Sequence, residues 1–78
     1  MPTVARSGPY RFFFFSNEGL EPPHIHIQKG DALAKFWLDQ VELSSSTGFA
    51  AHELRRLQSL VEERRTEFED AWNDFFRP

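Results

Sequence analysis

The segment Pro22-Pro23-His24-Ile25-His26-Ile27-Gln28-Lys29-Gly30-Asp31 constrains this chain more than any other. Two prolines rule out a helix and hold the backbone extended into the residues after them. From His24 the residues then alternate: Ile25 and Ile27 lie on one side, and His24, His26 and Gln28 on the other, which is the period of a strand. Gly30-Asp31 supplies a two-residue hairpin turn that starts with glycine. A turn there brings residues 32–38 back antiparallel in a fixed register. Ile27 faces Ala34 and Ile25 faces Phe36 on an apolar side. Gln28 faces Leu33, His26 faces Lys35 and His24 faces Trp37 on a polar-aromatic side. Both strands name the same side as core, and a slip by one residue would destroy that agreement.

The rest of the chain is read around this hairpin. Tyr10-Arg11-Phe12-Phe13-Phe14-Phe15-Ser16 is dense in strand formers and predicts a strand over 10–16, apolar on both faces. Residues 17–23 form a loop. Val41-Glu42-Leu43 is a brief candidate fourth strand, and Ser44-Ser45-Ser46-Thr47-Gly48 reads as a loop. A helix then begins with Ala50 at the N-cap, Glu53 at N3, where its carboxylate can accept the first backbone N–H groups, and Phe49 with Leu54 as a hydrophobic staple. Alanine at the cap offers no side-chain acceptor. Apolar residues continue at steps of three and four (Leu54, Leu57, Leu60, Val61, Phe68, Ala71, Trp72, Phe75, Phe76) with a gap at Arg64-Arg65. One helix over 50–76 would be about 39 Å long, more than three short strands can cover. Either it breaks near Arg64, or its far half packs on another chain. The expectation is an α+β fold in one domain over 1–78: a three-stranded antiparallel sheet (10–16, 24–29, 32–38), then a long C-terminal helix.

At 78 residues the core is thin, and nine Phe, two Trp and one Tyr compensate with large rings. Cysteine is absent, which excludes disulfides and thiolate metal sites and favours the cytosol. No apolar run has the length of a membrane span or a signal peptide, so a soluble cytoplasmic protein is expected. The formal charge of −3 argues against non-specific nucleic-acid binding by the chain as a whole. Acidic residues are concentrated after Leu38, leaving only the first half to offer a local basic face.

His24 and His26 are the candidate chemical residues. Two apart on a strand, their Cβ atoms lie about 6–7 Å from one another on one face. One use is metal ligation, but a third ligand is wanted. Glu21 is near in sequence and His52 is the one other histidine, so no tight metal site and no cofactor are expected. A second use is acid–base chemistry near neutral pH, with His24, His26 and Lys35 as catalytic groups. Arg11 and Lys35 would then bind phosphate, Trp37 would stack a base, and Gln28 shares their face. A third reading makes both histidines packing residues of a sheet face, beside Trp37, Phe13 and Phe15. There is no Gly-rich phosphate loop, no Ser/His/Asp arrangement and no DNA-reading motif. Glu62-Glu63-Arg64-Arg65 reads as a solvated helix face.

Taken together, Pro9-Tyr10-Arg11-Phe12-Phe13-Phe14, Pro22-Pro23-His24-Ile25-His26-Ile27, Ala34-Lys35-Phe36-Trp37-Leu38, Gly48-Phe49 and Trp72-Asn73-Asp74-Phe75-Phe76 resemble the domain of unknown function 4160 family over nearly the whole chain. The prolines, histidines and Lys-Phe-Trp strand carry the most specific part. The resemblance implies a small bacterial cytoplasmic protein encoded beside another small uncharacterised domain. It further implies a component of a toxin–antitoxin-like pair, with RNA as a candidate target and the neighbouring gene's product as partner. A plain interaction module with structural histidines and a small metal-binding domain are the alternatives. Trp72, Phe75 and Phe76 exceed what one thin sheet covers, which predicts a homodimer or a chain that needs a partner.

Overall fold

The computed structural model describes residues 3–16 and 19–76. Five strands, β1 (Thr3–Ser7), β2 (Tyr10–Phe13), β3 (His24–Lys29), β4 (Ala32–Trp37) and β5 (Glu42–Thr47), precede two helices, α1 (Ala51–Glu63) and α2 (Arg65–Phe76). The strands form one antiparallel meander in the order β1-β2-β3-β4-β5. The α+β reading holds, and the sheet is larger than the three or four strands expected.

At the centre the register is the one read from the sequence. His24 pairs with Trp37, Ile25 with Phe36, His26 with Lys35, Ile27 with Ala34 and Gln28 with Leu33. Gly30 has φ +58° and no non-glycine residue among those described has positive φ, as a turn with glycine in its first central position requires. Gly8, at φ +57°, plays the same part before Pro9, whose ring-fixed φ suits the second position. Ser7 pairs with Tyr10 across that turn. The resulting hairpin makes β1 a strand that the sequence reading did not include.

Three further expectations change. The strand expected over 10–16 ends at Phe13, so Phe14, Phe15 and Ser16 leave the ladder. The loop expected over 17–23 falls partly on residues 17 and 18, outside the described residues; its described part, from Gly19, has no strand or helix. Ser44-Ser45-Ser46-Thr47, expected as loop, completes β5, with a shift of register between Lys35 and Phe36 in its pairing to β4.

The helical region breaks at Arg64 (φ −108°, ψ 17°). Of the two alternatives for the long helix, this is the one observed. Two segments of 13 and 12 residues are each about 18–20 Å long, which a twisted sheet can cover. Leu57 and Val61 from α1 and Phe68 and Trp72 from α2 are buried with Phe12, Phe14, Ile25, Ile27, Phe36 and Leu38 in one core. Burying a side chain of this size is worth about 1.5–3 kcal/mol. The premise of the expected homodimer therefore weakens: Trp72 is 3% exposed within its own chain, and of the three aromatics only Phe75 is exposed.

Ala50 is the N-cap, with no side-chain cap bond. The carboxylate of Glu53, expected at the first backbone N–H groups, is engaged by side chains of the sheet. It accepts a 2.8 Å hydrogen bond from the Tyr10 hydroxyl and pairs with the Lys29 ammonium, tying α1 to β2 and β3. The Lys29 and Tyr10 hydrogen bonds hold the Glu53 carboxyl below its usual range. Burial, then the Glu53 bond, raises the Tyr10 phenol, and the Glu53 bond raises the Lys29 ammonium.

Candidate functional site

Alternation along the strands divides the sheet into two faces. Phe12, Ile25, Ile27, Ala34 and Phe36 lie under the helices. Arg11, Phe13, His26, Gln28, Lys35 and Trp37 occupy the other face, because Phe13 pairs with His26 and Arg11 with Gln28. All six sequence-predicted site residues (His24, His26, Lys35, Arg11, Gln28 and Trp37) are thus on one face of three adjacent strands. They are close in space, and most are already engaged with one another.

His24 is 0% exposed. Its Nδ1 lies 2.9 Å from the Pro22 carbonyl oxygen. A carbonyl only accepts, so Nδ1 carries the proton and the ring is fixed by its own prolines. Its centroid is 4.8 Å from that of Trp72, 5.6 Å from Trp37 and 5.2 Å from His26. Trp72 of α2 therefore reaches past the end of β2, where Phe14 and Phe15 have left the ladder, to cover the start of β3. His26 is 7% exposed, stacked on Phe13 at 5.3 Å with 22° between the planes, and met at its edge by Phe15 at 4.9 Å.

The cations on this face are also held. Lys35 Nζ sits 2.8 Å from Glu21 Oε1 and 4.6 Å from the centre of the Trp37 ring. Arg11 donates from Nε to Thr3 Oγ1 at 2.9 Å and from Nη1 to Gln28 Oε1 at 3.4 Å, with its guanidinium 4.6 Å from the centre of Phe13. Gln28 donates to the Gly30 carbonyl. Glu21, weighed as a third metal ligand, is committed to Lys35. His52 stands exposed on α1, the element covering the opposite face. No group of three or more potential ligands close enough for a metal occurs among the described residues.

Two hollows open on this face toward β5. One, of about 140 Å³, is bordered by His26, Leu33, Lys35, Ser45 and Thr47. The other, of about 250 Å³, is bordered by Pro22, Trp37, Asp39, Gln40 and Glu42. Sequence reasoning missed the β5 contribution because it read Ser44–Thr47 as loop. The available signal was the continuation of Glu42-Leu43 into β-compatible Ser and Thr residues that end at Gly48.

No helix among the described residues is long and apolar enough to cross a membrane. No curated protein and no solved structure matches the chain. The profile of the family described as "Domain of unknown function (DUF4160)" matches residues 10–73, from the start of β2 into α2. The pairing of β2, β3 and β4, the histidine face and the helical cover all fall within that span, and the chain belongs to this family.

Proposed function

We propose that this protein is the partner-binding member of a toxin–antitoxin-like pair, acting through protein contact, with His24 and His26 as structural residues. The observation that carries this reading is the contrast in exposure along one face. The histidines are buried in aromatic contacts, whereas all six residues of β5 are exposed. A catalytic imidazole must reach its substrate's proton directly or through one water. His24 has one nitrogen on Pro22 and its ring beneath Trp37 and Trp72. The resemblance supplies the pairing with a neighbouring gene; the exposed strand supplies a place for that gene's product to bind.

The RNA-directed reading keeps one specific support, the gathering of Arg11, His26, Lys35 and Trp37 on a single face. Expression of the protein with and without the neighbouring gene's product separates the two. We expect a stable complex by size-exclusion chromatography with light scattering, and no RNA cleavage by either form. Cleavage that disappears on His26→Gln with the fold intact would contradict the interaction reading.

A further inference from the structure

The geometry points to β-strand addition at β5: an extended segment of the partner protein continues the sheet beyond this edge. Its side chains on the open face enter the two hollows, one taking an apolar residue and the other a lysine or arginine. This inference rests on the interaction reading above and specifies how that interaction is made.

The edge itself is the first argument. β5 is the last strand of the meander, so the backbone groups on its outer side have no neighbouring strand among the described residues. Natural edges are commonly blunted by lysine, proline, an inward-pointing charge or a β-bulge; β5 has one irregularity, opposite Lys35 and Phe36, and pairs regularly over Ser45–Thr47. β5 reads Glu42-Leu43-Ser44-Ser45-Ser46-Thr47, and its one charge is at its first residue. Backbone hydrogen bonds from such an edge supply affinity to an added strand, while pockets for alternate side chains supply specificity.

The hollows are the second argument. Lys35 pairs with Ser45 and Trp37 with Glu42, so both hollows lie on the same face. On β4, Lys35 and Trp37 are two residues apart, about 6–7 Å along the strand, the spacing of consecutive same-face side chains; on β5 their partners Ser45 and Glu42 are three apart across the register shift, so an added strand follows the same irregularity. Ser45 and Thr47 are small, so the first hollow stays open toward the edge, and its volume of about 140 Å³ admits one aliphatic side chain beside Leu33. The second hollow has Trp37 as one wall and the exposed carboxylates of Asp39 and Glu42 at its border. A cation there gains from both carboxylates and from the indole ring. Charge thus selects a basic partner segment over a second copy of β5, which carries Glu42 and no cation.

The test uses the full chain, isotopically labelled, with the neighbouring gene's product as probe. Amide exchange and chemical-shift changes are followed, and affinity is measured for the wild type, the double variant Asp39→Lys/Glu42→Lys, and Leu33→Trp. We expect amides within Leu43–Thr47 to slow on binding. The charge reversal should lose about tenfold or more in affinity, and the filled hollow should lose a smaller amount. Binding with no change at β5, or equal affinity for the charge-reversed variant, overturns strand addition and leaves the interaction reading standing. Absence of any complex overturns both. Protection of β5 by self-association alone, without the probe, overturns the choice of a basic partner.

Discussion

Phe12 and Phe13 are neighbours in β2, and both are almost wholly buried, at 0% and 2% exposure. What covers them differs. Phe12 lies under the helices, with the Phe68 ring 5.1 Å away. Phe13 lies on the helix-free face and is covered by Phe15, His26 and the Arg11 guanidinium. One face is sealed by secondary structure and the other by individual side chains. That difference explains how two histidines on a face without helices come to be buried, and why solvent-accessible space on that face lies toward β5.

Truncating the two rings is expected to separate the two faces most strongly. Phe12→Ala should cost about 3–5 kcal/mol, since packed helices cannot collapse into the space left. Phe13→Ala should cost less, about 3 kcal/mol at the low end of that range, because long side chains can close over the gap. Urea unfolding gives both values, and equal losses would mean the helix-free face is as rigid as the covered one.

A smaller effect is expected at the start of α1. Ala50→Ser adds an acceptor for the first-turn amides. Because Glu53 is committed to Tyr10 and Lys29, the reciprocal half of a capping box is not gained. The stabilisation should be about 0.5–1 kcal/mol, a rise in melting temperature of about 2–8 °C. An unchanged or lowered melting temperature would show that the cap amides are already satisfied.

The smallest expected effect is electrostatic. Glu53 has its carboxyl held down, so its contribution is present above the usual carboxyl value of 4.5 and is lost as pH falls through its folded value. Lys29 and Tyr10 are raised, so their contributions are lost on the alkaline side, as pH climbs beyond 10.5 and 10.0 respectively. The stability difference between wild type and Glu53→Gln should therefore shrink below about pH 4.5. A difference constant across that acid range and up to neutrality would place Glu53 outside this cluster.

The central hairpin was legible because two independent patterns, alternation in β3 and alternation in β4, had to agree about Gly30-Asp31. The face shared by His24, His26, Lys35, Trp37 and Phe13 followed from that agreement. β1 was missed although Gly8-Pro9 offers the same turn device, since Thr3-Val4-Ala5-Arg6-Ser7 lacks the strong apolar alternation that identifies a strand. β5 was missed for a related reason: an edge strand exposed on both faces carries no hydrophobic pattern. The packing of His26 against Phe13 and Phe15, and of His24 against Trp37, was legible in the face they share, but the closure over His24 was not. It depends on Trp72, far away in sequence, reaching His24 beyond the end of β2, and no local periodicity encodes that contact.

His24→Asn separates histidines that hold the open face together from histidines that perform chemistry. An asparagine amide can still donate to the Pro22 carbonyl, but it cannot serve as an acid–base group or stack on Trp72. Melting temperature, affinity for the partner proposed above and cleavage of RNA would be measured together. The account predicts a lower melting temperature with affinity within about twofold of wild type and no cleavage by either protein. An unchanged melting temperature accompanied by loss of RNA cleavage would contradict it.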